Sequence, residues 1–282
     1  MSSLMSARRG AAYVSIAALA WGTGGAAGAL LFAHGSLDPI AVSFWRYLLG
    51  AGFLLMFLPR LPAFSSPVLV AGVGMALYQA AYFLAVAETG VTVATMVTMG
   101  ATPVLTAVGG RLFLNERLGR AGTAALAVAL TGLLLLTGTP AGGSLTGIGY
   151  ALASAVGYAA ITLHSRRHSG DPQGMAVGGF LVATLVTAPF ALATGIVPEL
   201  TAASAGLLLF LGAIPTALAY WLFFRALGTL RASTVSTISL GEAAGAAVLG
   251  VLVFGERLTA AGWAGCVLLL AAVVVLTAQA ST

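Results

Sequence analysis

Two stretches of this chain, RLFLNERLGRAG at 111–122 and VLVFGERLTAAG at 251–262, read as one turn written twice. In each, an apolar run ends at an acidic-Arg-Leu triplet, Glu116-Arg117-Leu118 or Glu256-Arg257-Leu258, and a glycine, Gly122 or Gly262, follows. Outward from these turns the correspondence continues. Asp38-Pro39 and Asp171-Pro172 are each an acidic cap followed by the residue that suits the first helical position. Trp21 aligns with Tyr158, and Thr102 with Glu242. Agreement in order along both halves predicts a duplicated unit, residues 1–140 forming the first copy and 141–282 the second.

Each copy holds five apolar stretches of about the ~20 residues that a membrane crossing needs. They run over 11–33, 39–58, 67–88, 91–113 and 119–138, then 144–164, 173–195, 203–226, 232–254 and 260–278. Five is odd, so the second copy threads the membrane in the opposite direction to the first. The predicted fold is an all-α integral membrane protein, ten transmembrane helices arranged as two inverted five-helix repeats. A pseudo-two-fold axis then lies in the membrane plane, and the cleft between the copies can open to either side, as in many secondary transporters. The first stretch is too long for a signal-peptide core and begins a packed series, so it counts as a span.

Composition agrees. Of 282 residues, 60% are hydrophobic and 7% charged, and mean hydropathy is +1.04. A soluble domain carries about 25% charged residues, so little of this chain lies outside the membrane. The formal charge of +5 invites a nucleic-acid reading, which its distribution removes. With the N-terminus inside, inward segments hold Arg8, Arg9, Arg60, Arg111, Arg117, Arg120, Arg166, Arg167, Arg225 and Arg231. Outward loops hold Arg257, and Arg46 lies within the second span. The positive-inside rule puts both termini in the cytoplasm. The absence of lysine and the wealth of glycine and alanine point to a GC-rich bacterial genome, hence an inner membrane. Cys266 is the single cysteine, which excludes an internal disulfide and a cysteine metal cluster.

Ten spans, a five-span inverted repeat and an acidic-Arg-Leu turn before the last span of each half resemble the drug/metabolite transporter superfamily, EamA family. The resemblance covers essentially the whole chain, and within that branch the chain is similar to amino-acid exporters of the YddG type. It implies a central cavity walled by spans one, three, four, six, eight and nine, with five and ten peripheral. It also implies alternating access and a monomer whose partners are a small-molecule substrate and membrane lipid.

Several residues stand where a cavity would need them. Trp21, Tyr78 and Tyr158 fall ten residues or more into their spans, roughly 15 Å deep, whereas interfacial aromatics such as Tyr13, Trp45 and Trp263 sit near span ends. Tyr82 shares a face with Tyr78, and Gln79 lies beside them. Thr92, Thr95, Thr98, Thr102 and Thr106 form a hydroxyl stripe on span four with Met99 alongside; Ser233, Ser236, Thr237 and Ser239 answer on span nine. Trp21, Tyr78, Gln79, Tyr82, Thr95, Met99, Tyr158, Thr237 and Ser239 are therefore the candidate substrate-binding residues. The competing account is packing, since small and hydroxyl residues let membrane helices approach, as Gly241 and Gly245 would. Pro103, Pro189 and Pro215 each free the carbonyl four residues back, at Met99, Leu185 and Leu211, and a freed carbonyl can accept from an ammonium group.

Glu242 is the sharpest single residue. An ionised carboxylate midway along a span costs at least about 2.5–3.5 kcal/mol. It can couple protons, partner a cationic group or sit neutral in a polar network, and Arg46 is its candidate ion-pair partner. No histidine falls mid-span, which disfavours a Ser–His intramembrane protease, and no GxxxxGK[ST] occurs, so ATP-driven transport is unsupported. The chain reads as a non-enzymatic secondary exporter of small metabolites, amino acids foremost, without a cofactor. The alternatives are a proton-coupled exporter of lipophilic cations acting through Glu242, or an intramembrane enzyme or receptor-like subunit.

Overall fold

The computed structural model of the chain describes residues 6–34, 37–57, 62–137, 144–199, 201–254 and 257–279. Arg60 and Glu256, and the side chains of His34 and Thr92, lie outside the described residues. Every regular element described is helical: α1 (Ala7–His34), α2 (Pro39–Phe57), α3 (Ser66–Phe113), α4 (Arg120–Thr137), α5 (Leu145–Arg167) and α6 (Pro172–Thr194). Then follow α7 (Ala202–Gly212), a π-helical turn (Ala213–Leu218), α8 (Ala219–Leu227), α9 (Ala232–Ser239), α10 (Gly241–Phe254) and α11 (Ala260–Gln279). Among the described residues, six stretches are long and apolar enough to cross a membrane: Pro39–Phe57, Ser66–Ala85, Val93–Phe113, Leu145–Arg167, Pro172–Thr194 and Ala202–Leu227. Arg120–Leu136 and Ala260–Leu276 are shorter apolar helices. The outer faces carry large apolar side chains such as Leu185, Phe190 and Leu192, while hydroxyl residues such as Thr106, Ser154 and Thr216 are buried. That inversion suits lipid as the surrounding solvent, because hydrocarbon cannot satisfy polar groups. This is an all-α, multi-pass membrane protein.

Local chemistry starts the helices where the sequence puts caps. Asp38 Oδ1 accepts from the backbone N–H of Ile40 at 2.7 Å and of Ala41 at 2.8 Å. Asp171 Oδ1 accepts from Gly174 N–H at 2.9 Å. Each carboxylate satisfies amides that the first helical turn leaves open.

Four expected spans differ in detail. Spans three and four form one helical run of 48 residues, about 72 Å if straight, against a hydrocarbon core of ~30 Å. The chain reverses instead. Tyr82 and Thr95, about 20 Å apart along a straight helix, join hydroxyls at 2.6 Å. The reversal therefore lies between Ala85 and Val93, and Glu88 and Thr89 there pack on Gly147 at the start of α5. Span eight carries the π-helical turn around Pro215, and span nine is broken at Leu240 between α9 and α10.

Contacts sort the connections onto two ends of the bundle. At one end Ser144 reaches Glu88, and Trp45 Nε1 donates to Ile196 O at 2.7 Å. At the other, Glu116 bonds Arg166 at 2.8 Å, Arg231 Nη1 donates to Arg117 O at 2.6 Å, and Gly10 packs on Thr229 and Leu230. α4 and α11 pair on the periphery, their contact so close that a Cβ on Gly132 would meet Gly265 O at 2.8 Å. A Cβ on Gly22 would likewise meet the backbone of α10 at Glu242 and Ala246, 3.0 Å away.

Candidate functional site

A cavity of about 310 Å³ lies in the half of the bundle toward the Ser144–Glu88 end. Trp21, Gly24 and Gly28 of α1 line it, with Val42, Ser43 and Arg46 of α2, and Tyr78, Gln79 and Tyr82 of the first limb of α3. Thr95, Thr98 and Met99 enter from the second limb, Tyr158 from α5, Leu211 from α7, Tyr220 from α8 and Glu242 from α10. Among the described residues, no lining residue belongs to α4, α6 or α11. The resemblance left α2 out of the wall; here it supplies one full face, since Pro39, Ser43 and Arg46 recur at helical spacing.

Four of the lining aromatics form one connected set. Tyr78 and Tyr158 stack with centroids 5.3 Å apart, and the hydroxyls of Tyr78 and Tyr220 are 2.7 Å apart. Trp21 meets Tyr220 edge-on at 5.1 Å and Phe223 at 5.4 Å. Such edge contacts are favourable for aromatic rings.

Of the residues singled out in the sequence, Trp21, Tyr78, Gln79, Tyr82, Thr95, Met99, Tyr158, Glu242 and Arg46 therefore meet around one void. Thr237 and Ser239 are not in its lining. Both are buried, and their hydroxyls bond back to carbonyls of their own helix, Thr237 to Ser233 at 2.8 Å and Ser239 to Val235 at 3.0 Å. The threonine stripe divides in the same way. Thr95 and Thr98 reach the cavity, whereas Thr102 and Thr106 bond back to Thr98 and Thr102 at 2.7 and 2.8 Å and pack inside. The carbonyl of Leu211, freed by Pro215, is taken by Thr216 Oγ1 at 2.7 Å, so it is not open to a solute.

The polar groups of the cavity are incompletely matched. Arg46 Nε donates to Thr216 Oγ1 at 3.3 Å, and its guanidinium lies 5.9 Å from the Tyr47 ring centroid. Arg46 and Glu242 do not form the anticipated ion pair: among the described residues, the pair closer than 4.0 Å is Arg166–Glu116. Trp21 Nε1 and Ser43 Oγ are buried without a hydrogen-bond partner. A buried donor left open is costly, ~1–3 kcal/mol. Two such donors beside a cation and a carboxylate mark a void built to receive polar groups.

Ser43 and Tyr220 escaped the sequence reading. Ser43 had a signal, because it stands three residues before Arg46 on the same helical face. Tyr220 had none: the π-helical turn adds a residue and rotates α8 relative to α7.

Comparison with known proteins adds the class. A model of the EamA-like transporter family matches the chain twice, over residues 8–138 and 145–278. The chain belongs to the EamA-like transporter family. It is 31% identical over 276 residues to the uncharacterized transporter YwfM of Bacillus subtilis (strain 168), covering 94% of this chain and 93% of that protein. A solved crystal structure shares the fold at TM-score 0.83, with 21% identity and coverage of 96% of this chain and 97% of the other. This EamA protein is accordingly a multi-pass membrane transporter, not an enzyme.

Proposed function

We propose that this EamA protein is a bacterial inner-membrane secondary transporter that exports small metabolites, amino acids foremost, by alternating access. The repeats are residues 1–140 and 141–282, ten transmembrane helices in all, inverted relative to each other, with both termini cytoplasmic. The family model matches each half separately, which supports the duplication, and Asn115, left-handed at φ 53°, aligns in sequence with Gly255, the other residue type that accepts that conformation. The YddG-type exporters serve as the analogy, and the transporter works as a monomer surrounded by lipid.

One observation carries the reading. The cavity lies between the two halves: Trp21, Arg46 and Tyr78 come from the first, and Tyr158, Tyr220 and Glu242 from the second. At the opposite end of the bundle Glu116 ties α5 to α9, bonding Arg166 at 2.8 Å and the backbone N–H of Ala232 at 2.9 Å. A site between two halves whose helix ends are tied together at one end of the bundle supports one state of an alternating-access cycle.

The test is counterflow of a panel of labelled amino acids in proteoliposomes. Saturable exchange of at least one amino acid is expected. Exchange of lipophilic cations driven by a pH gradient, with every amino acid inert, would instead establish the alternative of a proton-coupled exporter acting through Glu242.

A further inference from the structure

Arg46 and Glu242 face the same void from α2 and α10 without closing into an ion pair. Opposite charges inside a membrane protein ordinarily pair with one another, and a separated buried pair forfeits the Coulomb energy that offsets desolvation. A solute carrying both charges between them would restore it. Beside Arg46, on the same face of α2, the buried Ser43 hydroxyl lacks a partner, and across from it the Trp21 indole N–H is open as well. The cavity thus offers a guanidinium fork with extra donors on one side and a bare carboxylate on another.

A purely cationic solute would satisfy Glu242 but stand against Arg46, and a purely anionic one would do the reverse. We infer that the cavity holds its solute as a zwitterion, the α-carboxylate on Arg46 and Ser43, the ammonium on Glu242, and an aromatic side chain against the rings of Tyr78, Tyr158 and Tyr220. This deepens the amino-acid reading and rests on it. Arginine suits the carboxylate because its planar fork matches two oxygens at once, and the aromatic wall gives the side chain a face of similar polarity.

Three probes separate the charges: L-phenylalanine, phenethylamine without the carboxylate, and 3-phenylpropanoate without the ammonium. Their binding is measured by thermal shift and by competition on purified full-length protein in nanodiscs. Wild type is expected to bind phenylalanine at least about tenfold more tightly than either fragment. Arg46→Gln should weaken phenylalanine and 3-phenylpropanoate while leaving phenethylamine unchanged or tighter; Glu242→Gln should weaken phenylalanine and phenethylamine and spare 3-phenylpropanoate. Arg46→Lys keeps the charge and should preserve the wild-type order of the probes, which separates charge recognition from folding. If both neutral variants shift all three probes alike, or wild type binds phenethylamine as tightly as phenylalanine, zwitterion recognition is overturned while amino-acid counterflow can still stand. If wild type binds none of the three and moves no amino acid in counterflow, the transport reading falls with it.

Discussion

Thr216 holds two awkward groups at once. Its hydroxyl donates to the Leu211 carbonyl that Pro215 releases, at 2.7 Å, and accepts from Arg46 Nε at 3.3 Å. Its methyl fills the space left by Gly50, where a Cβ would meet it at 2.7 Å. Thr216→Val keeps that shape and strips both bonds, leaving a buried carbonyl and a guanidinium short of a partner, a loss of ~1–3 kcal/mol. Thr216→Ser keeps the bonds and gives up a methyl, about 1 kcal/mol. The expected outcome in a thermal unfolding assay in detergent is a lower midpoint for the valine variant than for the serine variant; the opposite order would mean that packing against Gly50 dominates. The same residue shows where sequence reading stops. Depth within a span picked out Trp21, Tyr78 and Tyr158, and the cost of a mid-span charge picked out Glu242 and Arg46. Hydroxyls were ambiguous, because a threonine or serine in a helix can satisfy itself on the carbonyl four residues back. Thr237 and Ser239 do so, and only the backbone around them decides which hydroxyls face the void.

Glu116 joins four helix ends. Its Oε1 accepts from Arg166 at the end of α5, and its Oε2 accepts from Ala232 N–H at the start of α9, while Arg166 Nη1 donates to Leu227 O at the end of α8. A carboxylate at a helix N-terminus and a cation at a C-terminus each complement the local dipole. The turn that delivers Glu116 was legible in the sequence as the acidic-Arg-Leu triplet. Its partners were not, since Arg166 read as a flank that sets topology. The element boundaries followed the apolar pattern, which parted spans three and four at 88–91, where the chain reverses; hydropathy carries no mark of the unbroken helical run through that reversal, or of the π-helical turn. Glu116→Gln keeps an acceptor for Ala232 and removes the ion pair, so this end of the bundle should open more often. With Cys266 replaced by alanine and a single cysteine at Ser236, buried beside Thr106, an impermeant maleimide supplied on the side of the α3–α4 connection should label the glutamine variant several-fold faster. Equal labelling rates would show that the ion pair does not hold this end closed.

At the scale of the whole molecule, duplication and function pull apart. The two copies share caps, turns and order, yet Thr102 bonds back into its helix while its counterpart Glu242 faces the cavity. Under the proposed inverted repeat the two halves would rock about a shared site, while the cavity's polar groups sit on particular members of each half. The symmetry also dictates a topology. The connection at Glu116 and Arg117 sits with Arg166, Arg225 and Arg231 at one end of the bundle, and the proposed odd-numbered repeat would send the equivalent connection at Glu256 and Arg257 to the other. From the cytoplasmic retention of arginine-rich segments, the proposed topology puts the Glu116 end inside and the Glu256 connection outside. Fusions of a reporter active only in the cytoplasm, paired with one active only outside, at Thr282 and near Thr259 should give opposite signals, with Thr282 inside. Matching signals at the two sites would mean an even number of crossings between Thr259 and Thr282, and the inverted repeat would have to be abandoned.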